Sequence, residues 1–189
     1  SQISATQANY PLFMVVHGNG HTYTNYAFLL EHMARNGFIA GAIHLNGGLA
    51  GLAGANAFFD HVATLGTVFG ASLRNEVAVL GHSRGGEAVF KIARLNQSLG
   101  LGVGLRALLA LGPTDQYGRE TLGGAAAQPL FVLYGAKDDD VSGGTPYAGY
   151  NVRQSGFSLY DRFSGQDKAM AYVSDATHNG FVTTNEAFG

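Results

Sequence analysis

Val77 to Phe90 reads VAVLGHSRGGEAVF, and its reading decides the fold. The apolar run Val77, Ala78, Val79, Leu80 meets Gly81-His82-Ser83-Arg84-Gly85. A segment follows with Ala88, Val89, Ile92 and Ala93 at helical spacing. This is strand, sharp turn, helix. Glycines two before and two after the central residue let strand and helix close up without side-chain collisions, and the turn thrusts Ser83 into the open. A serine hydroxyl is a poor nucleophile at neutral pH, so presenting it at the head of a helix, where N–H groups stabilise a developing anion, is a device of nucleophilic catalysis. Chance matches to G-x-S-x-G arise readily in a chain with 28 Gly among 189 residues. The strand before and the helix after are what a chance match lacks.

Working outward, Pro11 to His17 (PLFMVVH) is an apolar, β-branched run bounded by Gly18-Asn19-Gly20, as expected of a strand buried on both faces. Thr24 to Asn36 places Tyr26, Leu29, Leu30 and Met33 on one helical face, and Gly37 is a suitable terminator. A strand over Phe38 to Leu45 comes next. A Gly/Ala-rich loop then leads to a helix marked by Phe58, Val62, Leu65 and Phe69. Beyond the elbow, Leu105 to Leu111, Pro129 to Tyr134 and Ala169 to Val173 are short apolar strands, with one short helix expected near Phe157 to Phe163. Apolar strands alternating with amphipathic helices predict an α/β fold, a mostly parallel sheet of about six strands covered on both faces, over a single domain spanning residues 1–189.

Composition narrows the partners. Charged residues make up 13% of the chain, about half the usual share of roughly 25%. With a net charge of -2 and no basic run, there is no electrostatic footprint for nucleic acid. No apolar run approaches the ~20 residues of a membrane span. The absence of Cys excludes a thiol nucleophile and thiolate metal sites. HGNG at 17–20 is not followed by G-K-[ST], which argues against a nucleotide loop, and His17 and His21 lack the third ligand that zinc requires. Neither a cofactor nor a metal is expected.

The elbow GHSRGGE, the strand-end His17-Gly18-Asn19-Gly20, the segment Gly135-x-x-Asp138-x-x-Val141 and the late Ala176-Thr177-His178-Asn179-Gly180-Phe181 together resemble the serine-hydrolase branch of the α/β-hydrolase fold. More narrowly, they are similar to bacterial, often secreted, esterase- and lipase-like hydrolases. The resemblance covers nearly the whole chain. It implies a minimal version of that fold without a large cap, lacking the usual first two strands and the closing helix, with strand order 2-1-3-4-5-6. The chain order Ser, Asp, His is the one this fold uses.

The resemblance also implies roles. Ser83 is the expected nucleophile, His178 the base, and Asp138 the acid that orients it, with Asp140 and Asp115 as rivals. Asp139 and Asp140 read as a solvated turn, although an acidic triplet beside Ser142-Gly143-Gly144 also suits Ca²⁺. The oxyanion donors are expected to be the backbone N–H groups of Arg84 and Asn19. Of the seven His, His82 adjoins the nucleophile but points away across the elbow, and reads as structural. The link Gly112 to Gln128 is too short for a helical cap, so an open, shallow site is expected, with His17, Tyr23 and Tyr117 as lining candidates and Tyr26 and Tyr147 also within reach. Such a cleft suits short-acyl esters or an exposed polymeric ester. A serine peptidase or amidase with the same three residues, and a catalytically silent domain used for binding, remain the competing readings. Dehalogenases and epoxide hydrolases of this fold need an Asp where Ser83 stands.

Overall fold

Alternation of apolar strands with helices produces, in the computed structural model, one six-stranded sheet. The structure describes residues 9–43, 51–114, 128–138 and 158–183. The strands are β1 (Tyr10–Val16), β2 (Ile39–Ala42), β3 (Leu73–His82), β4 (Leu105–Leu111), β5 (Leu130–Gly135) and β6 (Lys168–Val173). The helices are α1 (Ala27–Arg35), α2 (Gly51–Phe69), α3 (Arg84–Ser98) and α4 (Ser158–Arg162). Every strand pairing is parallel and the order is β2-β1-β3-β4-β5-β6, as expected from the sequence. No large cap interrupts it among the described residues, and the architecture is a minimal α/β-hydrolase fold.

The two faces of the sheet are unequal. On one, Leu12, Met14, Val79, Leu108 and Val132 pack with Phe58 of α2 and with Val89, Phe90 and Ile92 of α3 into the main core. Phe163, just past α4, meets the Phe90 ring edge-on at a centroid distance of 6.1 Å. Each such buried side chain contributes about 1.5–3 kcal/mol relative to exposure. On the other face, Phe13, Val15 and Leu80 form a smaller cluster with Leu29, Leu30 and Met33 of α1.

Local reading and structure differ in three places. Helix α2 starts at Gly51 rather than near Phe58, because the alanines at 53, 55 and 57 favour helix and Ala55 is fully buried. Strand β2 is confined to Ile39–Ala42, and the expectation for 44 and 45 lies outside the described residues. Tyr26 sits not within α1 but in a 3-10 turn, Tyr23–Tyr26, that precedes it, and is fully buried. At the N-terminal edge of the sheet, the Asn75 amide donates to the Gly102 carbonyl at 2.9 Å while its oxygen accepts from the Gly104 N–H at 2.8 Å, clamping the start of β3 to the turn before β4. No helix among the described residues is long and apolar enough to cross a membrane.

Candidate active site

Parallel strands carry their functional loops at their C-terminal ends, and the sequence-predicted residues fall there. Strand β3 ends at His82 and α3 begins at Arg84, leaving Ser83 alone in the turn with φ 56° and ψ -119°. A non-glycine residue held in so sparsely populated a region carries about 1–3 kcal/mol of strain. The surroundings enforce it: the Ser83 N–H donates to the Leu111 carbonyl at 2.9 Å, and its carbonyl accepts from the Thr114 and Glu87 N–H groups at 3.1 and 3.2 Å. A Cβ on Gly81 would collide with the Gly85 carbonyl, and one on Gly85 with the Val16 carbonyl, so the elbow exists only with glycine at both positions. Helix α3 is buried well beyond one stripe, from Gly85 to Phe90, because it lies between the sheet and α2. Glu87 on its first turn is 2% exposed and accepts from the Thr114 hydroxyl at 3.1 Å.

The loop after β1 runs directly over the elbow. A Cβ on Gly18 would stand 2.9 Å from Ser83 Cβ and 3.1 Å from His21 Nδ1. His17 is 5% exposed, and its Nδ1 donates to the Gly18 carbonyl at 2.8 Å. Asn19 is exposed and Tyr23 is half exposed. Tyr117, Tyr147, Asp115, Asp139 and Asp140 lie outside the described residues.

Strands β5 and β6 bring in the other pair. Asp138, three residues past the end of β5, is 1% exposed, and His178 opens a short 3-10 turn after β6. His178 Nδ1 donates to Asp138 Oδ2 at 2.8 Å. With Nδ1 protonated, the neutral ring carries its lone pair on Nε2, the arrangement a general base needs. Gly112, at φ 45°, lies against the pair: a Cβ there would be 3.2 Å from Asp138 Oδ2 and 3.3 Å from His178 Nδ1.

His82, read from sequence as structural, is a connector. It is fully buried, its Nε2 donates to the His178 carbonyl at 2.9 Å, and its Nδ1 accepts from the Tyr26 hydroxyl at 2.9 Å. The Tyr26 oxygen in turn accepts from the Gly18 N–H at 3.4 Å. The His82 and His178 rings are tilted against each other at 4.8 Å. Burial first, and the neighbouring His178 second, lower the His82 pKa to about 3, while burial pushes the Tyr26 hydroxyl well above its ordinary range. Both groups are neutral at neutral pH.

The family model of chlorophyllase matches residues 3–122, a span that contains the loop after β1, the elbow and all of α3. The chain belongs to the chlorophyllase family. No curated protein sequence matches it. Solved structures similar to this chlorophyllase-family chain include Est1E from Butyrivibrio proteoclasticus, 12% identical with a TM-score of 0.58 over 93% of this chain and 82% of that one. An esterase from Pyrococcus furiosus is 13% identical with a TM-score of 0.64 over 91% and 74%. A dienelactone hydrolase-like promiscuous phosphotriesterase from metagenomic libraries is 16% identical with a TM-score of 0.63 over 91% and 73%. At these identities the structural likeness establishes the fold, and the chlorophyllase family places the chain among esterase-like hydrolases of that fold.

Proposed function

We propose that the protein is a serine hydrolase that cleaves carboxylic esters through an acyl-enzyme. The observation that carries this reading is the meeting of two features at one end of the sheet: the strained Ser83, and the buried His178–Asp138 hydrogen bond of 2.8 Å beside it. Ser83 Oγ attacks the acyl carbon while its proton passes to His178 Nε2. Asp138 holds the ring with Nδ1 as donor and stabilises the imidazolium that forms. The backbone N–H groups of Arg84 and Asn19 take the oxyanion, and the loss of one such donor typically costs about 10² to 10³ in rate. The proton on Nε2 then goes to the departing alcohol, and a water activated by the same ring releases the acid.

Short-acyl or exposed polymeric esters fit this reading best, since the connection from Gly112 to Gln128 is too short to carry a helical cap over Ser83. Hydrolysis of nitrophenyl esters from acetyl to palmitoyl, wild type against Ser83→Ala, is the test. Turnover that requires Ser83 and is greatest on short chains is the expected result. A maximum at long chains would overturn the short-acyl part, and turnover indifferent to Ser83 would overturn the whole. The name of the family supplies one further substrate for the series, chlorophyll, whose much larger alcohol and ring system tests how open the cleft is.

A further inference from the structure

The residues assigned to ester cleavage leave one buried group of titratable side chains unused. Tyr26, His82 and His21 converge under the nucleophile: His21 and His82 meet at a ring distance of 5.1 Å, and Tyr26 lies 6.2 Å from each. Apolar side chains fill such a space at lower cost, because each buried polar group must find a partner. The partners found here are informative. A carbonyl oxygen only accepts, so the 2.9 Å contact of His82 Nε2 with the His178 carbonyl fixes the proton on Nε2. Nδ1 of the neutral ring is then an acceptor, and Tyr26 must donate to it. The hydroxyl oxygen is left to accept from Gly18, on the loop that precedes the expected oxyanion donor Asn19.

We propose that Tyr26 and His82 are positioning residues, a directed hydrogen-bond relay from the Gly18 loop through the elbow to the main chain of His178 that holds the base and the oxyanion loop in register with Ser83. The proposal rests on the serine-hydrolase reading for its effect on rate, while the relay itself is defined by which ring nitrogen of His82 carries the proton. It assigns the base two independent supports. Asp138 orients its ring from Nδ1, and His82 fixes the backbone from which that ring projects. It also accounts for the burial of His82. A ring 4.8 Å from His178 must stay uncharged while His178 carries the proton taken from Ser83, and exclusion from water keeps it so. The remaining neighbours follow the same logic: His21 is held below its ordinary pKa by burial, then by His178 and His17, with Asn179 opposing. His21 Nδ1 is buried with no hydrogen-bond partner among the described residues, as an unprotonated acceptor nitrogen tolerates better than an N–H donor would.

Two measurements on the full chain test the relay. Nitrogen-15 correlation of the histidine rings in the wild type at neutral pH is expected to show His82 protonated at Nε2 alone, and Tyr26→Phe, which removes only the hydroxyl, is expected to keep that tautomer and to shift the Nδ1 signal as that nitrogen loses the hydrogen bond it accepts. A wild-type ring protonated at Nδ1, or a Tyr26→Phe ring unchanged from wild type, overturns the relay whether or not any ester is cleaved. The second measurement is the rate at which a fluorophosphonate labels Ser83. Tyr26→Phe is expected to slow labelling by up to about a hundredfold in a chain that remains folded, the cost of a misplacement of about 1 Å. His82→Gln, which keeps a donor for the His178 carbonyl, is expected to label faster than His82→Leu. Equal rates for the Gln and Leu variants, or a wild-type rate for Tyr26→Phe, refute the positioning role. A wild type that the probe never labels refutes instead the serine-hydrolase reading, and leaves the ring-nitrogen result to decide the relay.

Discussion

Two imidazoles stand 4.8 Å apart at the head of the sheet, and the protein treats them oppositely. His178 is reached from the loop after β6 and donates from Nδ1 to a buried carboxylate. His82 terminates β3 and is bracketed by a carbonyl, which fixes the proton on Nε2, and by a phenol, which donates to Nδ1 of the neutral ring. The same side chain is thus proposed as proton acceptor in one place and as rigid spacer in the other. The difference is made by partners drawn from distant parts of the chain, since both rings belong to the same small cluster.

The strongest way to break the contrast is to make the first ring resemble the second by removing its carboxylate. Asp138→Asn is expected to lower kcat on a short-chain nitrophenyl ester by about 10⁴, because the amide favours the wrong tautomer of His178. A fall of less than tenfold would shift the acid to Asp115 or Asp140. A smaller effect comes from wedging the pair while sparing His82. In Gly112→Ala the added methyl must fit 3.2 Å from Asp138 Oδ2 at a backbone φ of 45°, and a drop in kcat of up to about a hundredfold with little change in KM is expected. Wild-type kinetics would show that the His178–Asp138 contact tolerates displacement.

The smallest effect sharpens the contrast from the side of His82. Its folded pKa of about 3 lies below the ordinary 6.5, so between those values the unfolded chain binds a proton that the folded chain refuses. Its contribution to stability is therefore complete above about pH 6.5 and is lost progressively as the pH falls toward 3. Urea unfolding at pH 7 and pH 4 is expected to show a larger loss for wild type than for His82→Gln, which has no ring to titrate. Equal losses would mean that the His82 ring takes up a proton in the folded state as easily as in the unfolded one.

What could be read in advance follows from the range of the interactions involved. The elbow and the six strands rest on local signals, apolar runs of strand length and glycines where backbones touch, whereas the strand order came with the family resemblance. Leu105–Leu111 was legible to the residue. Asp138 was separable from its neighbours Asp139 and Asp140 only through the spacing that the family resemblance supplies, and its partnership with His178 spans 40 residues. The Tyr26–His82 and His82–His178 links span 56 and 96 residues, and no local pattern distinguishes a tyrosine that donates inward from one that lines a cleft. Tyr26 was accordingly grouped with the cleft tyrosines, although its ring is fully buried. Helix α2 was read short for a different reason: glycines at 51 and 54 weaken the local helical signal, and packing of Ala55 and Phe58 against the sheet overrides it.

The Asn75 clamp across Gly102 and Gly104 lies toward the opposite end of β3 from Ser83, and eight residues of extended strand separate the two by about 26 Å. The proposed chemistry and the anchorage thus lie on opposite rims of one sheet. Because the chain contains no cysteine, a single thiol introduced at the exposed Leu101 would be unique, and would tether the protein to a bead or a dye with the rim that carries Ser83 turned outward.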